Sequence, residues 1–290
     1  MSKSSSNNAS QSKYSQIARN VTIALWLALV LFIAVVLAHR VIARDVMPQN
    51  AATSCSDLPE GILNIEVADS VDNIVIPYFA HTVYFNPSRR VPNATIYLLT
   101  AEHTTGPVPR CNNFIKDDSI ASCPNAWDYS NSGYDRGHMS PAGDMKWAEE
   151  AMNQSFLMTN ICPQNHNLNM GSWNRLEIKI RDWADQLGRV IVATGPIFDY
   201  PNGTIGKEVQ VAVPTAFFKV IFSPDPANRR MIAFIMSNAQ GAKNKLRESA
   251  TTVDEVEQRT GLDFFSALDD DEEASLESAC DYQAWQSLTY

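Results

Sequence analysis

The sequence predicts an α+β fold, with a central, mainly antiparallel sheet flanked by helices and one apolar segment ahead of it. Three observations lead there. Short runs of β-formers recur along the chain and are broken by Pro, Gly and Asn. Between Met170 and Leu187 the apolar residues Trp173, Leu176, Ile180, Trp183 and Leu187 recur at helical spacing. Of the 290 residues 45% are hydrophobic, enough to fill a sizeable core.

Taken in order, residues 1–20 are rich in Ser and Asn, carry Lys3, Lys13 and Arg19, and contain no acid. Residues 21–38 are apolar except for Thr22, long enough for a helix to span a bilayer. An uncleaved signal anchor ranks first because of the long polar lead. A cleaved signal peptide ranks second, since Val36-Leu37-Ala38 offers small residues for cleavage. A mitochondrial presequence ranks third, because the run is apolar all round rather than amphipathic. The expectation is a membrane contact through residues 21–38 and a catalytic part outside the cytoplasm, periplasmic or extracellular. Residues 39–60 read as a linker, polar and Pro-bearing from Asp45 onward, and the globular domain is expected over 61–290.

Within that domain strands are expected at Ile74–Tyr78, Thr82–Phe85 and Ala94–Thr100. A buried strand at Arg189–Thr194 is expected to stop at a Gly195-Pro196 turn, and two more are expected at Ala216–Phe222 and Met231–Met236. Helices are expected over Met170–Leu187 and over Thr252–Arg259, the latter ended by Gly261. The Asp269–Glu273 run reads as the solvated start of a third helix rather than a metal site, because nothing nearby completes a ligand set. Five cysteines follow the apolar segment, where an oxidising compartment permits disulfides. Cys111 and Cys123 bracket a short loop and form the first expected pair, Cys55 with Cys280 a second; Cys162 is expected to be a reduced, buried thiol.

The formal net charge is −9, the wrong sign for coating nucleic acid by bulk electrostatics. A polyanion would have to be drawn by a local basic patch or by a metal. The chemistry concentrates in Tyr134-Asp135-Arg136-Gly137-His138-Met139 and in the stretch from Asn160 to Glu177. On a strand Arg136 and His138 point to one side, so a guanidinium and an imidazole can face one phosphate. Asp135 would point the other way, an orienting position, and Gly137 would let the backbone approach the phosphate closely. Asn169, Trp173 and Glu177 follow at i, i+4 and i+8, roughly one side of a helix. Asn169 offers a neutral oxygen to a hard cation, Trp173 reads as a core anchor, and Glu177 could hold a water of that cation. A zinc site from His138, Cys162 and His166 is the weaker reading, since no second Cys/His pair stands at ligand spacing.

The pattern Asp135-Arg136-Gly137-His138, then Asn160, Pro163-Gln164, Asn169, Trp173 and Leu176-Glu177, resembles the DNA/RNA non-specific endonucleases of the ββα-metal superfamily. The resemblance runs from Ile65 to the C-terminus. It implies a Mg²⁺-dependent, sugar-non-specific cleavage of DNA and RNA, with Mn²⁺ or another divalent cation as a substitute. His138 would be the general base, Asn169 the sole protein ligand of the cation, and Glu177 the holder of a cation-coordinated water. Asn160 would be a polar neighbour of that water network. Arg110, followed by Phe114 and Asp117, would stabilise charge building on the phosphate. The rival readings are a catalytically inactive nucleic-acid-binding module and a membrane-anchored interaction protein that keeps the fold.

Overall fold

The computed structural model describes residues 57–289, and the apolar segment 21–38, its polar lead and Cys55 lie outside them. Among the described residues no helix is long and apolar enough to cross a membrane. In chain order the elements are β1 (Ile65–Val67), β2 (Ile74–Pro77), β3 (Thr82–Asn86), β4 (Val91–Thr100), β5 (Asp135–His138), α1 (Glu149–Ser155) and β6 (Ile161–Gln164). They continue with α2 (Asn174–Leu187), β7 (Arg189–Ile197), β8 (Thr204–Ile205), β9 (Val211–Ala212), β10 (Ala216–Ser223), β11 (Arg230–Ser237) and β12 (Ala250–Thr251). The last are α3 (Val253–Thr260), β13 (Leu262–Phe264), α4 (Asp270–Glu277) and α5 (Tyr282–Gln286).

The expected α+β class holds. Seven strands form the central sheet in the order β12-β11-β10-β7-β4-β3-β2, every neighbouring pair antiparallel. Because a strand's side chains alternate, the sheet serves two cores. Phe217 and Ile221 of β10 pack with Trp173, Leu176, Ile180 and Trp183 on the face covered by α2. Phe218, Val220 and Phe222 pack on the opposite face with Val253, Val256 and Phe264. A strand covered on both faces must be apolar throughout. That makes Lys219, wholly buried on the α2 face, an exception needing a reason.

Helix α2 buries Leu176, Ile180, Trp183, Ala184 and Leu187 and stops at Gly188, whose φ of 82° suits glycine. Helix α3 is capped as expected: the Thr252 side chain accepts from the Glu255 amide at 3.2 Å, and Gly261 closes the helix at φ 70°.

Three expectations are corrected. The strand at Arg189 does not stop at Gly195-Pro196 but runs to Ile197, pairing Gly195 with Phe218 and Pro196 with Phe217. The β4 ladder alongside ends at the Thr95–Thr194 pair, so the missing N–H of Pro196 breaks no bond on that side. A Cβ on Gly195 would lie 2.2 Å from the Asn93 carbonyl oxygen, so the glycine reflects close strand packing rather than a turn. The helix expected from Met170 is interrupted: Leu168–Trp173 form a π-helical segment with Gly171 at φ −104°, ψ −107°, and regular α-helix begins at Asn174. Finally, Cys111, Cys123, Cys162 and Cys280 are all free thiols. Cys123 sits in the α2-side core, where its sulfur accepts from the Asp117 amide at 3.4 Å, whereas Cys111 packs on Ala142, Met152 and Phe156. The two cysteines belong to separate clusters and do not pair.

Candidate active site

Outside the main sheet, β5 and β6 form their own antiparallel ribbon, which sets Arg136 opposite Pro163 and His138 opposite Ile161. The chain passes from this ribbon through the π-helical segment into α2, giving a strand–strand–helix unit. Its concave side is a cleft of about 320 Å³ lined by Arg110, Arg136, His138, Asn169, Glu177 and Arg181, among others. Five of the six residues singled out in the sequence therefore meet in one cavity. A second cavity of about 380 Å³ adjoins it and shares Arg136 and Asn169.

Asn160 is the residue not brought to the cleft. It is wholly buried, and its side chain is fully engaged by backbone. The amide nitrogen donates to the carbonyls of Ser140 (2.9 Å) and Ser155 (2.8 Å), while its oxygen accepts from the Ser140 amide at 2.9 Å. It clamps the chain just after His138, away from the residues that line the cleft.

Gly137 also differs from expectation. A Cβ there would fall 2.3 Å from Oε1 of Gln164, so the space admits the neighbouring side chain rather than a phosphate. His138 is only 8% exposed, its ring 4.7 Å from Phe156 in an edge-on contact and 5.3 Å from Phe114. Its Nε2 is buried without a hydrogen-bond partner. Burial first, and the Arg110 charge second, push His138 down to about 3, so the imidazole is uncharged at neutral pH and able to accept a proton.

The arginines are held by their flanks. Arg136 donates Nε and Nη2 to the Ala126 carbonyl, at 3.1 and 2.8 Å, and lies over Phe114. Arg110 donates Nε to Asn112 Oδ1 at 2.8 Å and lies over Phe156. Such contacts fix a planar guanidinium while leaving other N–H groups for an anion. The cleft thus carries the local positive charge that the acidic chain as a whole lacks.

Asn169 donates Nδ2 to Asp135 Oδ2 at 2.9 Å, and the same carboxylate oxygen lies 2.9 Å from His166 Nδ1. A carboxylate can only accept, so the Asn169 amide nitrogen is committed to Asp135 and its oxygen is the atom left for a cation. Glu177 is half-buried, and desolvation pushes it up to about 7 against the opposing charges of Lys219, Arg181 and Arg110.

Sequence reasoning missed a buried set beneath this cleft. Asp144, 2% exposed, accepts from Tyr97 Oη at 2.6 Å and from Arg181 Nη1 at 2.7 Å. Lys219 donates to Thr194 Oγ1 at 3.0 Å, with its ammonium 4.7 Å from the Trp173 ring centre. Lys219 is the strongest of the charges that oppose the desolvation of Glu177. The available signal was a lysine inside the otherwise apolar run Ala216–Phe222.

The donor set fits a hard cation that keeps most of its water. The cleft is lined by two asparagines, Asn169 and Asn174, and one carboxylate, Glu177, and no group of three His, Cys, Asp or Glu converges there among the described residues. The zinc reading fails on geometry. Cys162 is wholly buried opposite Gly137, and the largely exposed His166 is turned to Asp135.

Comparison with known proteins places this geometry. Residues 59–271 match the family model of the DNA/RNA non-specific endonucleases. The zebrafish protein "Nuclease EXOG, mitochondrial" is 32% identical over 270 residues, covering 87% of this chain and 71% of its own. The fission yeast protein "Nuclease 1, mitochondrial" is 37% identical over 175 residues, 54% of each chain. A crystal structure of an EndoG/EndoGI complex, describing EndoG inhibition, superposes with a TM-score of 0.62 at 29% identity, covering 67% of this chain and 86% of that one. The expectation of an exported or periplasmic catalytic domain is overturned by these relatives, whose names are mitochondrial, the compartment ranked third on sequence. With the strand–strand–helix unit and its cleft in hand, the match over residues 59–271 makes this chain a member of the DNA/RNA non-specific endonuclease family, a hydrolytic nuclease.

Proposed function

We infer that the protein is a Mg²⁺-dependent endonuclease that hydrolyses phosphodiester bonds in both DNA and RNA. The observation that carries this reading is the convergence of His138, Arg110, Arg136, Asn169 and Glu177 on one cleft. Asn169 Oδ1 would hold the cation, with Glu177 facing its hydration shell. When bound, the cation supplies Lewis-acid stabilisation of the negative charge that builds on the phosphate.

The chain's own residues supply the rest. Arg110 and Arg136 grip phosphate oxygens and hold the scissile group over the cleft. His138, uncharged in the free protein, takes the proton of the attacking water. Two effects depress its basicity, and substrate relieves one of them. A phosphate seated against Arg110 offsets that arginine's charge, so the imidazolium forms beside an anion rather than beside a bare guanidinium. The base is strengthened only when there is something to cut. The adjoining cavity that shares Arg136 and Asn169 gives the polymer beyond the scissile phosphate a place to lie. The arginines of the cleft address phosphate, the group common to DNA and RNA, which supports a sugar-non-specific reading. The mitochondrial names of the zebrafish and fission yeast relatives support the same compartment for this chain.

Digestion of supercoiled DNA and of a single-stranded RNA by the full-length protein, with Mg²⁺ and with EDTA, tests the reading. Cutting of both substrates that stops in EDTA is the expected result. Cutting of one substrate alone, or cutting that survives chelation, contradicts it.

A further inference from the structure

On the face of the sheet opposite the cleft, α3, β13 and α4 bring five carboxylates together. Oxygens of Asp254, Glu257 and Glu277 lie within 4.8 Å of one another, and so do those of Asp263, Glu273 and Glu277. Glu277 belongs to both sets and is only 6% exposed. Its Oε1 is inaccessible and has no hydrogen-bond partner, and the same holds for Oε1 of Glu273. Two buried, unpartnered oxygens on carboxylates of these overlapping sets are a costly arrangement unless something positive completes it.

The nearby arginines do not do so. Arg259 of α3 pairs with Asp199, and Arg229 pairs with Glu272 on the other side of α4. Glu257 engages one oxygen on the Phe264 amide at 2.9 Å, which fixes the carboxylate without neutralising it. Burial, and then the neighbouring like charges, raise both Glu257 and Glu277 far above the usual carboxylate range.

We propose that Asp254, Glu257, Asp263, Glu273 and Glu277 form a second, structural cation site that takes calcium. Calcium accepts six to eight oxygens in flexible geometry, with carboxylates binding singly or in pairs, whereas magnesium keeps its waters and uses one or two carboxylates. Asp254 and Asp263 are exposed, so the ion has a way in and water can complete its shell. The bound ion ties α4 to α3 and β13, whose apolar sides Leu276, Val253, Val256, Leu262 and Phe264 share the second core. It belongs to the fold's stability and not to phosphodiester cleavage.

The test uses the full-length protein carrying Asn169→Ala, to suppress metal binding in the cleft. The protein is stripped with EDTA and then given CaCl₂. Its melting temperature should rise by roughly 5–10 °C at a hundredfold excess over Kd. Adding Glu277→Gln should abolish that rise, because the carboxylate shared by both sets is gone. Asp263→Asn, at an exposed position, should remove most of the rise without disturbing the core, which covers a Glu277→Gln protein that fails to fold. An Asn169→Ala protein indifferent to calcium, or a rise that survives both substitutions, overturns the proposal. An equal rise with MgCl₂ at the same concentration overturns the assignment to calcium.

Discussion

Asp135 Oδ2 accepts from Asn169 Nδ2 at 2.9 Å, joining the first strand of the ribbon to the segment that leads into α2. An asparagine is a poor ligand if its amide can turn over, because nitrogen cannot coordinate a cation. The carboxylate removes that freedom, since only the nitrogen end can face it. The carboxylate next to Arg136 on one side of the motif thereby decides which atom faces the cleft on the other.

Asp135→Ala should therefore leave the fold intact and weaken cation binding. Outer partners of metal ligands typically contribute about 10–100-fold in affinity. The Mg²⁺ concentration for half-maximal plasmid nicking should rise by about that factor, with the saturated rate changed far less. An unaltered Mg²⁺ requirement would detach Asp135 from Asn169.

The cleft was legible because its parts are local. Arg136 and His138 share a strand, Asn169 and Glu177 flank the start of one helix, and the family pattern, rather than their spacing, links them. What lay beneath was not legible. Tyr97, Asp144 and Lys219 come from β4, a turn and β10, and only folding gathers them under Glu177. The Gly195-Pro196 turn signal lost to strand pairing because the β4 ladder had already ended beside it. The acidic run at Asp269–Glu273 read as solvated because Asp254, Glu257 and Asp263 approach only through packing of α3 and β13.

Lys219→Met tests the buried set. Removing the ammonium removes the strongest of the charges that lower Glu177, so its value moves further up from about 7. The sign follows directly. If activity needs ionised Glu177, the acid limb of the pH–rate profile shifts to higher pH, by roughly one unit. A purely structural lysine would lower stability and leave the limb where it was.

His138→Ala removes the base and also a buried ring packed on Phe114 and Phe156, so it cannot be silent in the fold. Cleavage should fall by about 10²–10⁴-fold. The melting temperature should also drop by a few degrees, as expected from an unfilled cavity. His138→Gln, which keeps more volume, should recover part of the stability and none of the rate. Recovery of the rate with Gln would remove the imidazole from the chemistry.

The thiols should behave according to burial. Alkylation of the native, unreduced protein should label the exposed Cys280 quickly and reach the wholly buried Cys162 only on unfolding. Non-reducing peptide mapping should recover Cys111 and Cys123 unlinked. A Cys111–Cys123 peptide pair would contradict the separation of their two clusters.

The assignment of base and ligand meets its most direct test in a magnesium titration of plasmid nicking by three variants. Asn169→Ala loses the amide oxygen assigned to the cation, and Glu177→Ala loses a group that faces only its hydration shell. High Mg²⁺ should therefore restore Glu177→Ala substantially and Asn169→Ala weakly. His138→Ala, defective in proton transfer, should gain nothing at any Mg²⁺ concentration. Equal rescue of Asn169→Ala and His138→Ala would contradict the account.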